Sequence, residues 1–194
     1  EADIQQALSQ QYSYSYLAPG SDSVSEEVIA AFRPFCPIVE QLRAVRSQLL
    51  LRWFDAEPVE HKALAIVSPE SGDGRSFVAA NLAVVFSQLG ARTLLVDADL
   101  RTPRQHELFR LPNKHGLSSV LAGRVELTKA ITRISGLKAL SVLPAGAVPP
   151  NPQELLTRLP YNSLMAAVQG HYDVVLVDTP AGNQTADVLA ITAR

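Results

Sequence analysis

The sequence predicts an α/β fold: a mostly parallel central sheet covered by helices on both faces, in three layers, preceded by a helical amino-terminal arm. Three observations carry this. Short runs of mainly Leu, Val, Ile and Ala occur at Leu64-Ala65-Ile66-Val67, Leu94-Leu95-Val96 and Val174-Val175-Leu176-Val177, none interrupted by a polar residue, as expected of strands buried on both faces. Segments of helical periodicity separate them. A glycine-bearing loop leaves the first run and opens a helix, which makes Leu64 to Asp97 a βαβ unit.

The elements follow in chain order. Residues 1–31, within an arm drawn to residue 36, carry no sustained apolar period, and they include Tyr12-Ser13-Tyr14-Ser15-Tyr16 followed by Pro19-Gly20-Ser21-Asp22-Ser23. They are expected to form a flexible arm, with the domain proper spanning 37–194. From Ile38 to Phe54, Ile38, Leu42, Val45, Leu49 and Trp53 recur at three- and four-residue steps and predict one apolar helix face, with Pro37 starting the helix and Pro58 beyond its end. Val78, Leu82, Val85, Phe86 and Leu89 predict a second helix face, stopped by Gly90. A short helix around Leu117 to Leu121 and a strand over Ala139 to Leu143 come next. After Pro149-Pro150, Asn151 is placed to cap a helix with Pro152 at its first position and Glu154 at its third.

Composition bounds the function. The 194 residues are 47% apolar and 19% charged, which excludes disorder and permits a buried core. Seventeen Lys and Arg against 19 Asp and Glu give a net charge of -2, so no overall basic field gathers nucleic acid, and none is expected as a partner. The single cysteine, Cys36, excludes an intrachain disulfide and a cysteine zinc site. No run approaches the roughly 18 apolar residues of a membrane span, and the acidic start at Glu1 does not read as a secretory signal. A cytoplasmic protein is expected. The apolar pattern at Ile191-Thr192-Ala193-Arg194 has no closing turn signal, so a carboxyl-terminal part is expected beyond residue 194.

The loop Ser68-Pro69-Glu70-Ser71-Gly72-Asp73-Gly74-Arg75-Ser76 joins the first strand to the second helix. Cradling phosphate requires glycines that let backbone N–H groups turn inward, a helix amino terminus, a cation and a hydroxyl for magnesium. Gly72, Gly74, Arg75 and Ser76 supply these, although against G-x-x-x-x-G-K-[ST] the first glycine is Pro69 and the lysine is Arg75. Alone, the loop reads equally as a tight strand-to-helix turn. Asp97-Ala98-Asp99-Leu100-Arg101 and Asp178-Thr179-Pro180 each end a buried apolar run, and ligands of open parallel sheets bind at such carboxyl ends. That context favours a nucleotide with magnesium. Ser76, Asp99 and Asp178 are the expected magnesium ligands, Asp97 the acceptor of a proton from an attacking hydroxyl, and Ser71 through Phe77, including Asp73, the nucleotide loop.

These motifs resemble those of the bacterial tyrosine kinases of exopolysaccharide export, which are associated with chain-length determinants or polysaccharide co-polymerases. The phosphate loop of that family matches Ser71 to Ser76. Its apolar-D-x-D-x-R element matches Leu94 to Arg101, its apolar-D-x-P element Val175 to Pro180, and its E-x-x-R-x-x-R helix Glu40, Arg43 and Arg46. Leu143-Pro144-Ala145-Gly146 and Asn151-Pro152-Gln153-Glu154-Leu155-Leu156 are further family-like stretches, and Arg75 places the chain with the branch that carries Arg for Lys. The resemblance implies a phosphate-loop NTPase-like fold and an ATP- and Mg2+-dependent protein-tyrosine autokinase that regulates polysaccharide chain length, with Asp97, Asp99 and Arg75 catalytic. It further implies a homo-oligomeric ring packed through Glu40, Arg43 and Arg46, a membrane co-polymerase as activator, and a location peripheral to the inner membrane. The alternative is a nucleotide-sensing oligomeric scaffold with weak or no transfer. A partition-type ATPase is disfavoured because Glu70 stands where its extra lysine would be. The family's tyrosine cluster would lie past Arg194, leaving Tyr12, Tyr14 and Tyr16 as substitutes or as part of a polar arm. Spacing gives the four histidines no metal site, and the basic residues from Arg101 to His115 read as a solvated rim or an acceptor-loop contact.

Overall fold

The apolar runs pair side by side in one sheet. In the computed structural model, which describes residues 16–18, 20–55, 62–183 and 186–192, β1 (Ala63–Ile66), β2 (Thr93–Asp97), β4 (Leu140–Leu143) and β5 (Val174–Asp178) are mutually parallel, and β3 (Thr132–Arg133) runs antiparallel to β4. The order is β1-β5-β2-β4-β3. Strand alternation divides the core in two. Leu95 of β2 and Val174 and Leu176 of β5 face one apolar cluster, while Leu94, Val96, Val175 and Val177 face the other.

The first face is covered by α1 (Ile29–Phe32), α2 (Pro37–Leu49) and α3 (Arg75–Ser87), with α2 running on into a wider π turn over Leu50–Phe54. Next in the chain come α4 (Gln105–Leu108), α5 (Leu117–Leu121), α6 (Leu127–Ala130), α7 (Pro152–Thr157), α8 (Leu159–His171) and α9 (Asp187–Thr192). Side chains of α5, α7, α8 and α9 fill the second cluster. α7 begins at Pro152 as expected, but Asn151 makes no side-chain capping bond.

Four expectations need correction. Residues 17–36 are not a free arm. Leu17, Val24, Val28, Ala30 and Ala31 are buried in the same cluster as α3. Asn81 of α3 accepts from Ala30 N at 2.9 Å and donates to Glu27 O at 3.0 Å, and Gln88 donates to Ala30 O at 2.9 Å. The segment lacks a helical period because it is held by main-chain bonds to buried amides. Tyr12 and Tyr14 lie outside the described residues.

α3 is buried all round from Ala79 to Ser87 rather than along one stripe, because α1 and α2 cover its outer side, and Leu89 beyond its end is exposed. α2 turns Val39, Leu42, Arg43 and Arg46 inward and leaves Ile38 and Val45 exposed. The arginines lay their apolar stems on the core, and Arg46 reaches Val85 O of α3 at 2.8 Å. β1, expected to be covered on both faces, is a half-buried edge strand among the described residues.

Candidate functional site

Parallel strands deliver their carboxyl ends to one rim, and the glycine loop and the aspartates meet there. Asp97 and Asp178 are neighbouring register partners at the ends of β2 and β5. The loop between β1 and α3 turns through Gly72 at φ +89° and Gly74 at φ +87°, a region that favours glycine because a Cβ clashes with the carbonyl there. Gly74 is also the N-cap of α3 and has no side chain, so no capping group occupies the helix amino terminus. Its first-turn N–H groups are left for an anion.

A cavity of about 410 Å³ opens at this terminus. Ser71, Gly72, Gly74, Arg75, Ser76 and Phe77 line one side, and Asp99, Thr102, Pro103, Arg104 and Glu107 the other. Asp73 is exposed and does not line it. Its carboxylate accepts from Glu70 N at 2.9 Å, which braces the loop and lowers the Asp73 pKa. Arg75 Nε donates to Thr179 O at 2.9 Å, and Nη1 reaches the Ser68 hydroxyl and the Glu70 carbonyl. The guanidinium therefore ties the loop to the exit of β5 while forming part of the cavity wall.

The three aspartates occupy different depths. Asp99 lines the cavity, its carboxylate fixed by Arg101 N at 3.1 Å, Thr102 N at 2.9 Å and the Thr102 hydroxyl at 2.9 Å. Asp97 is fully buried and accepts from the main-chain N–H groups of Asp99, Arg104 and Gln105 at 3.2, 3.2 and 2.9 Å. It does not line the cavity; it anchors the loop and the start of α4. Asp178, also buried, accepts from Gln105 Nε2 at 2.8 Å, and Gln105 Nε2 also donates to Ser76 O at 3.0 Å. Burial, then the charge of Asp178, lifts the Asp97 carboxyl well above its ordinary range. Burial likewise raises Asp178, against the hydrogen bonds from Gln105 and Ser76.

Two adjacent buried carboxyls call for a cation. Asp178 Oδ1 has no partner among the described residues, yet the carboxylate is within hydrogen-bonding reach of the Ser76 side chain. No three His, Cys, Asp or Glu side chains among the described residues converge enough to hold a metal by themselves. The donor set suits a hard ion that keeps waters and takes phosphate oxygens as ligands, as Mg2+ does.

Sequence reasoning missed Gln105, Thr102 and Asp187. Gln105 touches all three motifs, and its only local sign was its place just after Thr102-Pro103-Arg104. Asp187 is fully buried on α9 and binds Arg101 of the D-x-D-x-R element through Nε at 2.7 Å and Nη2 at 3.1 Å. No pattern pointed to it, because the pairing spans 86 residues. Glu40, Arg43 and Arg46 do not form one exposed strip: Glu40 is exposed and paired with Arg43, which also lies over the Phe35 ring at 5.6 Å, and Arg46 is turned onto α3. Tyr16 is exposed.

Residues 64–151 match the CobQ/CobB/MinD/ParA nucleotide binding domain. The chain is 37% identical over 157 residues to the putative tyrosine-protein kinase CapB of Staphylococcus aureus, covering 80% of this chain and 66% of that protein. It superposes on the crystal structure of the chimerical protein CapA2B2 with a TM-score of 0.81 at 34% identity, covering 97% of this chain and 80% of the other. The kinase domain of the Escherichia coli tyrosine kinase ETK superposes with a TM-score of 0.80 at 37% identity, covering 84% and 63%. The chain thus spans just under two thirds of CapB, and a fifth of full-length Etk from Escherichia coli K12.

Proposed function

We propose that this chain, which belongs to the bacterial tyrosine-protein kinases of exopolysaccharide synthesis, binds ATP with magnesium at the α3 terminus and transfers its γ-phosphoryl group to tyrosine hydroxyls of its own kind. The observation that carries the reading is the convergence of the uncapped α3 terminus, Ser76, Asp99 and Asp178 on one rim of the sheet. The amides around Gly72 and Gly74 receive the phosphate oxygens, with Arg75 adding fixed positive charge from the cavity wall. The Ser76 hydroxyl and the Asp178 carboxylate would hold the ion directly, with Asp99 reached through one of its waters. Magnesium held there would offset the negative charge that develops in transfer.

Asp99 is the carboxylate that reaches the cavity, and it accepts the tyrosine proton as the phenolic oxygen bonds to the γ-phosphorus and ADP leaves. Arg101 keeps the loop in register by gripping Asp187. The reading also includes a membrane-embedded co-polymerase as activator and a peripheral location at the inner membrane. No helix among the described residues is long and apolar enough to cross a membrane. The homo-oligomeric ring remains part of the proposal, with Glu40 and the exposed Ile38 and Val45 of α2 as its accessible contacts.

The test is intact-mass and phosphopeptide analysis after incubation of the chain with ATP and magnesium. Added phosphate on tyrosine, abolished by Asp99→Asn, is the expected result. Bound nucleotide without phosphotyrosine would replace the kinase with the nucleotide-sensing scaffold.

A further inference from the structure

Two stretches of family-like sequence, Leu143 to Gly146 and Asn151 to Leu156, play no part in the nucleotide crevice. The first fixes the course of residues 147–150, which with Asn151, Glu154 and Leu155 of the second line another cavity. The chain leaving β4 is zippered to the first turn of α5: Leu117 N donates to Pro144 O and Ser118 N to Ala145 O, both at 2.8 Å, and the Ser118 hydroxyl donates to Ala147 O at 2.7 Å. Asn113 Oδ1 accepts from Gly146 N at 2.8 Å. The approach demands glycine on both sides. A Cβ on Gly116 would meet Pro144 O at 2.2 Å, and Gly146 sits at φ +80°. The wall is built rather than incidental.

Between this wall and α7 lies a groove of about 460 Å³. Its floor is apolar, from Val125, Val148, Pro149 and Leu155, and Val148 is 58% exposed although large and hydrophobic. Its rim is cationic. Lys114, Arg124 and Arg158 surround it, with the His115 ring beside them, against a single carboxylate, Glu154, which pairs with Arg158 at 3.4 Å. In a chain of net charge -2 this is a local concentration of positive charge. The groove opens at the carboxyl end of β4, next in the sheet to β2, whose exit carries Asp99.

We infer that this groove docks the acceptor of the reaction, an extended, acidic, tyrosine-bearing peptide segment. Its carboxylates meet the rim, an apolar or aromatic side chain fills the floor, and the flanking tyrosine is delivered toward the neighbouring crevice. The inference rests on the kinase reading. A peptide fits better than other anions: no Phe, Tyr or Trp lines the groove as a stacking platform for successive bases, which single-stranded nucleic acid favours, and a concave site of this volume suits side chains rather than a membrane surface. Cations at an exposed rim select the partner by charge, while the floor supplies contact area.

The test measures binding apart from turnover, on the full chain with magnesium and a non-hydrolysable ATP analogue. The probes are a dye-labelled peptide with a central tyrosine flanked by glutamates and its lysine-flanked counterpart, read by anisotropy. Wild type is expected to prefer the acidic peptide. Lys114→Glu with Arg124→Glu should weaken it by about tenfold or more and relieve the penalty on the basic one, with analogue affinity unchanged. The milder pair Lys114→Gln with Arg124→Gln, at exposed positions, should lose part of the preference at unaltered melting temperature. Equal binding of both peptides, no effect of the rim variants, or retention of phosphatidylglycerol vesicles by these residues in place of the peptide overturns the inference. Rim-dependent peptide binding by a chain that forms no phosphotyrosine would overturn the kinase reading and leave the groove standing.

Discussion

Gln105 Nε2 donates to Asp178 Oδ2 at 2.8 Å and in the same position to Ser76 O at 3.0 Å, so one buried amide joins the end of β5 to the first turn of α3. Its own main-chain N–H holds Asp97 at 2.9 Å. The three motifs are thus braced through a residue that none of them contains.

Gln105→Leu removes that donor and leaves Asp178 Oδ2 and Ser76 O buried without it. An unsatisfied buried acceptor costs roughly 1–3 kcal/mol, so urea unfolding of the metal-free chain should show a loss in that range. Magnesium-dependent ATP binding should weaken at the same time, because Asp178 and Ser76 lose their mutual register.

Burial raises Asp178 above its ordinary value of 3.8, so ionising it in the fold is costlier than in the unfolded chain. The stability tied to this group is full below the ordinary value and is lost as pH rises through the folded one. In EDTA, Asp178→Asn should therefore melt higher than wild type at neutral pH, with the gap closing as pH falls toward about 4. A pH-independent gap would contradict this. ATP with magnesium should reverse the order.

Much of this was readable in the residues, for physical reasons. The strand runs and the Pro152 helix start are local signals, and the glycine loop announces itself because only glycine accepts the φ values at Gly72 and Gly74. What stayed hidden depends on tertiary contacts. Arg43 and Arg46 read as surface charge but bury their stems against neighbouring structure, Leu17 to Phe32 shows no period because Asn81 and Gln88 hold its main chain, and Asp187 is assigned only by folding back on Arg101. The crevice was legible in its first-order ligands, and its braces were not.

Arg101→Ala strands the fully buried Asp187 carboxylate. Removing one partner of a buried pair costs about 3–5 kcal/mol, and less when a partner is accessible. With the Arg101 side chain 42% exposed, a loss of roughly 2 kcal/mol in urea midpoint analysis is expected. Arg101→Leu with Asp187→Leu should recover part of it, since no charge is left buried.

Gly116→Ala should disrupt the contact between the chain before α5 and the exit of β4, because its Cβ would overlap Pro144 O. Overpacking against rigid backbone costs about 1–3 kcal/mol. Hydrogen exchange at Leu117 N and Ser118 N should quicken, while exchange in β2 and β5 stays as in wild type.

The central claim is best met by calorimetric titration of ATP into wild type and the Ser76→Ala, Asp178→Asn pair of substitutions, with magnesium and with EDTA. Tight binding by wild type that weakens sharply in EDTA, together with a doubly substituted chain indifferent to magnesium, is the predicted result. Equal affinity in all four titrations would contradict the account.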